Sequence, residues 1–130
     1  AYASPQHERA AYQWNASLSI YLRGEYSGKG LGRRLYGALI DLLACLGYMN
    51  LYALVTLPNP ASIGLHEKFG FRELAVQRKT GYKLGSWHDV AIFEKTLGEH
   101  VAEPPAPRSI YSLASAEMGA VLDRWQPCGV

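Results

Sequence analysis

The run Ser27-Gly28-Lys29-Gly30-Leu31-Gly32 constrains this chain more than any other segment, because a strand-like stretch precedes it and a leucine-striped stretch follows it. Glycines at 28, 30 and 32 allow backbone conformations and close approaches that a side chain would obstruct. Leu31, Leu35, Leu39, Leu42 and Leu46 recur at spacings of three and four, with Ala38 and Cys45 filling the same broad face. This spacing predicts a helix over Leu31–Leu46, ended by Gly47 as its C-cap. Gln13 to Leu22 mixes Trp14, Leu18, Ile20, Tyr21 and Leu22 with small polar residues and reads as a strand; Asn50 to Thr56 reads as another. Strand, glycine turn, helix and strand in that order form a crossover unit that feeds a parallel pair. A helix N-terminus behind a glycine-rich turn offers unpaired N–H groups to an anion of phosphate size. The same glycines also suit an ordinary surface turn, and Lys29, Arg33 and Arg34 serve equally as a solvated helix start. Neither the nucleotide P-loop spacing nor the complete G-x-G-x-x-G fingerprint is present, since Gly30 is followed by Leu31-Gly32-Arg33.

Downstream, Asn59-Pro60-Ala61-Ser62 opens a second helix, with Asn59 as side-chain cap and Pro60 at the first helical position. Ile63, His66, Lys68 and Phe69 occupy that short helix, which stops before Gly70. Phe71 to Val76 and His88 to Thr96 are expected to form an antiparallel pair. Two adjacent prolines and a third in Glu103-Pro104-Pro105-Ala106-Pro107 mark a stiff boundary. Beyond it, Ser109 to Trp125 can form an amphipathic helix carrying Leu113, Met118, Val121, Leu122 and Trp125. The expected organisation is a core over 1–103, a linker over 104–108 and a tail over 109–130.

The whole chain sets wider bounds. Its 130 residues fit one domain, and a hydrophobic fraction of 48% excludes global disorder. The apolar stretches fall short of a membrane span and no signal peptide is evident, so a cytoplasmic protein without membrane contact is expected. A net charge of +2 with no concentrated basic run argues against nucleic acid as a partner. Cys45 and Cys128 lack metal-binding spacing, and no metal site is expected. Cys45 reads as a packed thiol on the helix face, and Cys128 as a free one near the terminus.

Taken together, the glycine run, the stretch Asn59-Pro60-Ala61-Ser62-Ile63-Gly64-Leu65-His66-Glu67-Lys68-Phe69-Gly70-Phe71 and the stretch Gly81-Tyr82-Lys83-Leu84-Gly85-Ser86-Trp87-His88-Asp89-Val90 resemble the GNAT N-acetyltransferase superfamily. They are most similar to its phosphinothricin and methionine-sulfoximine acetyltransferase branch, across most of residues 1 to 97. The resemblance implies an α/β fold with a mixed, partly splayed sheet of the acyl-CoA N-acyltransferase type. It also implies acetyl-CoA as cofactor, with CoA as product, and transfer of acetyl to a small primary amine such as an amino-acid analogue. Gly28, Lys29, Gly30, Leu31 and Gly32 would meet the cofactor pyrophosphate, and Asn59 and Ser62 its pantetheine or phosphate-bearing arm. His66 stands where many members place a tyrosine that protonates the departing thiolate, and an imidazole can transfer a proton near neutral pH. Tyr21 would bound the amine pocket, with Trp87 and His88 shaping it. As a helix cap, a helix-surface hydroxyl and a packed histidine, Asn59, Ser62 and His66 also have ordinary structural roles.

Two residues depart from the branch. Ser17 stands where a glutamate is expected, and serine cannot serve as a carboxylate base at neutral pH. Ser27 replaces an arginine or glutamine at the start of the cofactor motif. Relatives are also expected to carry further strands and helices ahead of Ala1, so the chain reads as an N-terminally truncated domain whose sheet edge a second copy would cover. The alternatives to the enzyme are a catalytically weak CoA-binding remnant and a structural oligomer.

Overall fold

A computed structural model describes residues 1–127; Cys128 lies outside them. Five strands form one mixed sheet in the order β1-β2-β3-β5-β4: β1 Tyr2–Pro5, β2 Asn15–Ser19, β3 Asn50–Thr56, β4 Arg72–Lys83 and β5 Ser86–Thr96. Helix α1, Leu31–Leu46, crosses from β2 to β3, and α2, Pro60–Lys68, connects β3 to β4. Helix α3, Ser115–Arg124, closes the described chain.

The sheet register creates the feature that matters most for function. β2 runs parallel to β3 but pairs with it only at Asn15, Ala16 and Ser17, opposite Asn50, Leu51 and Tyr52. The two strands are not paired beyond that point, so a gap opens between Leu18–Tyr21 and Leu54–Thr56. On its other side β3 pairs antiparallel with β5 along its whole length, from Asn50↔Thr96 to Thr56↔Val90. Strand β3 is thus held firmly on one edge and released on the other.

Alternation explains which side of the sheet is covered. Leu51, Ala53 and Val55 of β3 are buried, whereas Leu54 between them is 67% exposed. Ala16 and Leu18 of β2 and Ala91 and Phe93 of β5 join that buried face, and Tyr36, Ile40 and Leu43 of α1 pack onto it. The core face of α1 is therefore centred on Tyr36, Ile40 and Leu43, about one residue's rotation away from the leucine stripe. Leu35 is consequently 41% exposed, and Cys45, which lies roughly half a turn round from Tyr36, is exposed rather than packed. Gly47 ends α1 at φ 93°, with its N–H bonded to Ala44 and Leu43 carbonyls, as its sequence position predicts.

Other expectations shift at their ends. The strand predicted over Gln13 to Leu22 is confined to Asn15–Ser19, because Ile20–Leu22 run past both neighbours and find no ladder. The return pair is antiparallel, and β4 continues to Lys83 through register shifts after Glu73 and Gln77. In the tail, Ser109 caps a single turn at Ile110–Ser112, and the helix proper begins at Ser115.

That tail is docked on α1 by specific contacts. The Arg108 side chain donates to the Cys45 carbonyl (3.1 Å) and to Glu117 (3.0 Å), and Glu117 accepts from the Ala114 N–H (2.9 Å) at the start of α3. At the other end, the Trp125 indole donates to Asp41 (2.7 Å), and its ring lies against Phe69 with centroids 5.8 Å apart. Gly37 makes room for that ring, since a Cβ there would overlap three of its carbons. Gly37→Ala should therefore destabilise the protein by about 1–3 kcal/mol through overpacking. The same change in a Trp125→Ala background should cost under about 1 kcal/mol, because the obstructed ring is gone; urea denaturation of the four variants checks this, and equal costs in both backgrounds would remove Trp125 from the account.

Candidate active site

The gap between β2 and β3 is a cleft of about 210 Å³ whose walls include Ser19, Ile20 and Tyr21 on one side, Leu54 and Thr56 on the other, and Asn59, Ser62, His66 and Lys83 around its end. Its lining is mostly polar. A larger cavity of about 360 Å³ lies between α1, β1 and the tail, but Leu39, Leu42, Leu46 and Ile110 dominate it, and Arg108 at its rim is already paired. The smaller cleft, unlike that one, gathers proton-bearing groups at the open ends of parallel strands, where crossover sheets bind their ligands.

The glycine run forms the approach to α1. Gly28 and Gly30 adopt φ 76° and 73°, in the left-handed region that an L side chain resists. An added Cβ at either would meet no protein atom within 4 Å, so both face open space. Gly32 differs: its Cβ would come 2.9 Å from Leu22 Cδ1, so here the glycine admits the chain leaving β2. The first helical bond runs from the Arg34 N–H to the Gly30 carbonyl (3.1 Å). N–H groups ahead of it have no carbonyl within the helix to reach, and the dipole makes that end positive. Lys29 adds a cation above the Tyr26 ring, 5.9 Å from its centroid. Leu31 opens the helix and is half-buried. These residues fit an anion bound through the main chain.

At the other side of the cleft, Asn59 caps α2 by accepting from the Ser62 N–H (3.1 Å), with Pro60 at the first helical position. One helical turn on, His66 is only 3% exposed. Its Nδ1 lies 2.7 Å from the Ser62 carbonyl, and its Nε2 lies 2.9 Å from the Tyr36 hydroxyl. A carbonyl can only accept, so Nδ1 carries the hydrogen and Nε2 accepts from the phenol. Phe71 meets the ring edge-on and Phe93 stacks on it. Burial pushes the His66 pKa below its ordinary 6.5, opposed in part by the Ser62 bond, and burial pushes that of Tyr36 well up. Both groups therefore stay neutral in the folded protein at pH 7.

The remaining expected residues are more dispersed. Tyr21 is on the cleft wall, 79% exposed, stacked on Tyr2 with centroids 6.5 Å apart. Trp87 stands edge-on to Tyr82 (5.2 Å), 60% exposed, on the β4–β5 hairpin rather than on the cleft wall. His88 is also outside the lining; its Nδ1–H donates to the Leu57 carbonyl (3.0 Å), and its Nε2 accepts from the Ser86 hydroxyl (3.1 Å). Sequence reasoning brought together the glycines, Asn59, Ser62, His66 and Tyr21, but passed over Tyr36 and Lys83. Tyr36 was hidden inside the leucine stripe. Lys83 was visible only as a member of the Gly81–Val90 motif.

Residues 1–92 match the family profile of the Acetyltransferase (GNAT) domain. The phosphinothricin N-acetyltransferase of Streptomyces viridochromogenes is 35% identical over 107 residues, which are 82% of this chain and 57% of that protein. An N-acetyltransferase of Streptomyces griseus is 41% identical over 83% of this chain and 56% of its own length. The chain thus spans little more than half the length of these relatives. Among solved structures, a phosphinothricin acetyltransferase (Pat) of Sinorhizobium meliloti in complex with acetyl-CoA superposes with a TM-score of 0.76 at 34% identity, covering 85% of this chain and 60% of that one. The yncA protein of Salmonella typhimurium, solved with its cofactor acetyl-CoA, gives 0.75 at 33% identity over 80% and 60%. The fold is accordingly the mixed, open-sheet α/β architecture of that superfamily.

The burial of His66 carries a pH dependence. A neutral buried imidazole takes up protons on unfolding, so stability falls as pH drops through the ordinary value near 6.5. Tyr36→Phe leaves Nε2 buried without a donor and should cost about 1–3 kcal/mol at pH 7.5. That variant should lose at least as much stability as the parent between pH 7.5 and 5.5, because the phenol oxygen that can accept from a protonated Nε2 is gone; denaturation midpoints at the two pH values measure it.

Proposed function

The chain belongs to the GNAT acetyltransferase family, and from that premise we propose that its cleft binds acetyl-CoA and transfers the acetyl group to a small primary amine. The observation that carries this is an open glycine turn at the start of α1, whose Gly32 lies against the cleft residue Ile20, together with the polar gap where β2 and β3 part. An elongated ligand with an anionic middle can lay its phosphates on the N–H groups of Gly28 to Gly32 and extend its thiol arm into the gap. Bound there, acetyl-CoA supplies an acetyl group already activated as a thioester.

The protein's part is then orientation and proton handling. Backbone N–H groups from residues 28–32 anchor the pyrophosphate, with Lys29 adding charge. Asn59 and Ser62 border the arm. The unpaired edge of β3 at Leu54–Thr56 offers main-chain hydrogen bonds to an amide-bearing arm, in the way that an added strand would. Tyr21 and His66 are the candidate proton donors to the departing sulfur. They differ in readiness: the Tyr21 phenol makes no hydrogen bond among the described residues, whereas His66 must give up its Nδ1–H from the 2.7 Å bond to Ser62. Trp87 and His88 act on the acceptor side through the hairpin. Ser17 provides no carboxylate base, so the amine must arrive neutral or lose its proton to solvent. The amino-acid acetyltransferases among the relatives, such as the L-methionine sulfoximine/L-methionine sulfone acetyltransferase of Salmonella typhimurium, support an amino-acid analogue as acceptor. Pairing of a second copy along β1, an outer strand of the sheet, completes the proposal.

Thiol release from acetyl-CoA by the purified chain, measured with a panel of amino acids and run beside a CoA-binding titration, tests this. Amine-dependent release is expected; binding without release would leave a CoA-binding protein, and no binding would reject both. Tyr21→Phe and His66→Phe separate the donors. The true donor's loss should lower kcat about 10²-fold, and unchanged turnover in both would remove the two assignments.

A further inference from the structure

The cleft between β2 and β3 is walled by hydroxyls, an amide, an imidazole and aliphatic side chains, and among the described residues it carries a single charge. That charge is the ammonium of Lys83. His66 is held neutral by burial, and among the described residues no carboxylate lines the space. None of the ion pairs among the described residues includes Lys83. A cation on a polar wall with no protein counter-charge is available to an anionic ligand.

The fold also fixes where this lysine stands. Lys83 pairs with Ser86 across a two-residue turn in which Leu84 and Gly85 take φ 52° and 78°, the twist that suits a tight hairpin. His88 then ties the hairpin to the end of β3, donating from Nδ1 to the Leu57 carbonyl (3.0 Å) and accepting at Nε2 from the hydroxyl of Ser86, the partner of Lys83 across the turn (3.1 Å). Lys83 is therefore delivered to the cleft by a braced hairpin rather than by a free loop. It reaches the cleft from the β4–β5 side, whereas the glycine turn and its cations Lys29, Arg33 and Arg34 belong to the β2–α1 connection. The two positive regions thus come from separate connections of the fold, and two anionic groups can be served independently.

Resting on the acetyl-transfer reading above, we propose that Lys83 is the specificity-determining residue for the acceptor and pairs with the carboxylate of an amino acid whose amine faces the thioester. A polyamine acceptor would instead bring further positive charge beside the ammonium, and the cleft holds no acid to offset it. His88 is a positioning residue in this scheme, since it holds Ser86, the cross-turn partner of Lys83, to the end of β3.

Calorimetric titration of the full chain, saturated with CoA, compares an N-acetylated amino acid with its methyl ester in the parent, Lys83→Gln and Lys83→Arg. The parent should bind the acid about tenfold or more tightly than the ester, as a charge-assisted hydrogen bond warrants. Lys83→Gln should erase that preference, Lys83→Arg should keep it, and CoA affinity should stay within about twofold throughout. A parent without preference, or an undiminished preference in Lys83→Gln, overturns the proposal. So does a loss of CoA affinity in Lys83→Gln, which would put the lysine on the cofactor. Thiol release separates the two levels: a Lys83-dependent acid preference without acetyl transfer overturns the transferase reading and leaves the anion site standing, whereas transfer without that preference overturns Lys83 alone.

Discussion

The hydrogen bond between the Tyr36 hydroxyl and His66 Nε2, 2.9 Å long and buried, is the contact on which the site depends. Tyr36 belongs to the helix that follows the glycine turn, and His66 to the helix capped by Asn59. Two binding elements that lie thirty residues apart are thus locked together at one atom pair, inside a cage completed by Phe69, Phe71 and Phe93. A net hydrogen bond contributes only about 1 kcal/mol, yet leaving either partner unpaired in that cage costs about 1–3 kcal/mol. The asymmetry makes the pair a register device. Apolar packing would let α1 and α2 slide; a phenol that must find one nitrogen does not.

Around that lock, the fold distributes its charges outward. Arg72–Glu94, Arg78–Asp89 and Arg124–Asp41 pair on the outside of the sheet and helices, where water screens such bridges and leaves them little net stabilisation. Asp89 is held below the ordinary carboxylate range by the Lys79 N–H and by Arg78, which steadies the bulged part of β4. Lys83, exposed at the end of the same hairpin and on the cleft wall, has no such partner among the described residues. Stability and recognition are carried by different groups, which lets the cleft be polar without being a weak point of the core.

Much of this was legible in the sequence, for local reasons. Gly47 and the caps Asn59 and Pro60 set helix ends through backbone chemistry that does not depend on the rest of the fold, and α1 and β3 begin and end where the spacing predicts. The leucine stripe misled by about one residue's rotation, because leucines at 39, 42 and 46 also face the cavity under the tail. That offset placed Cys45 in the core and hid Tyr36. The state of His66 was not legible either. Its cage comes from Phe71 just ahead of β4 and from Tyr36 on α1 and Phe93 on β5, the last two distant in sequence, so Ile63–Phe69 alone does not announce a buried imidazole. Tyr21 and Trp87 were expected near the acceptor, and only Tyr21 lies on the cleft wall, since the hairpin turns the Trp87 ring toward Tyr82.

The central claim is spatial: one ligand should span the glycine turn and the gap between the parallel strands. Backbone amide shifts recorded by NMR during a titration with CoA test it most directly. The account predicts the largest shifts at Gly28–Arg33, with a second group at Leu54–Thr56 and Ser62, moving together with one affinity. Shifts confined to the cavity around Leu42 and Ile110, or two groups that titrate independently, would contradict it.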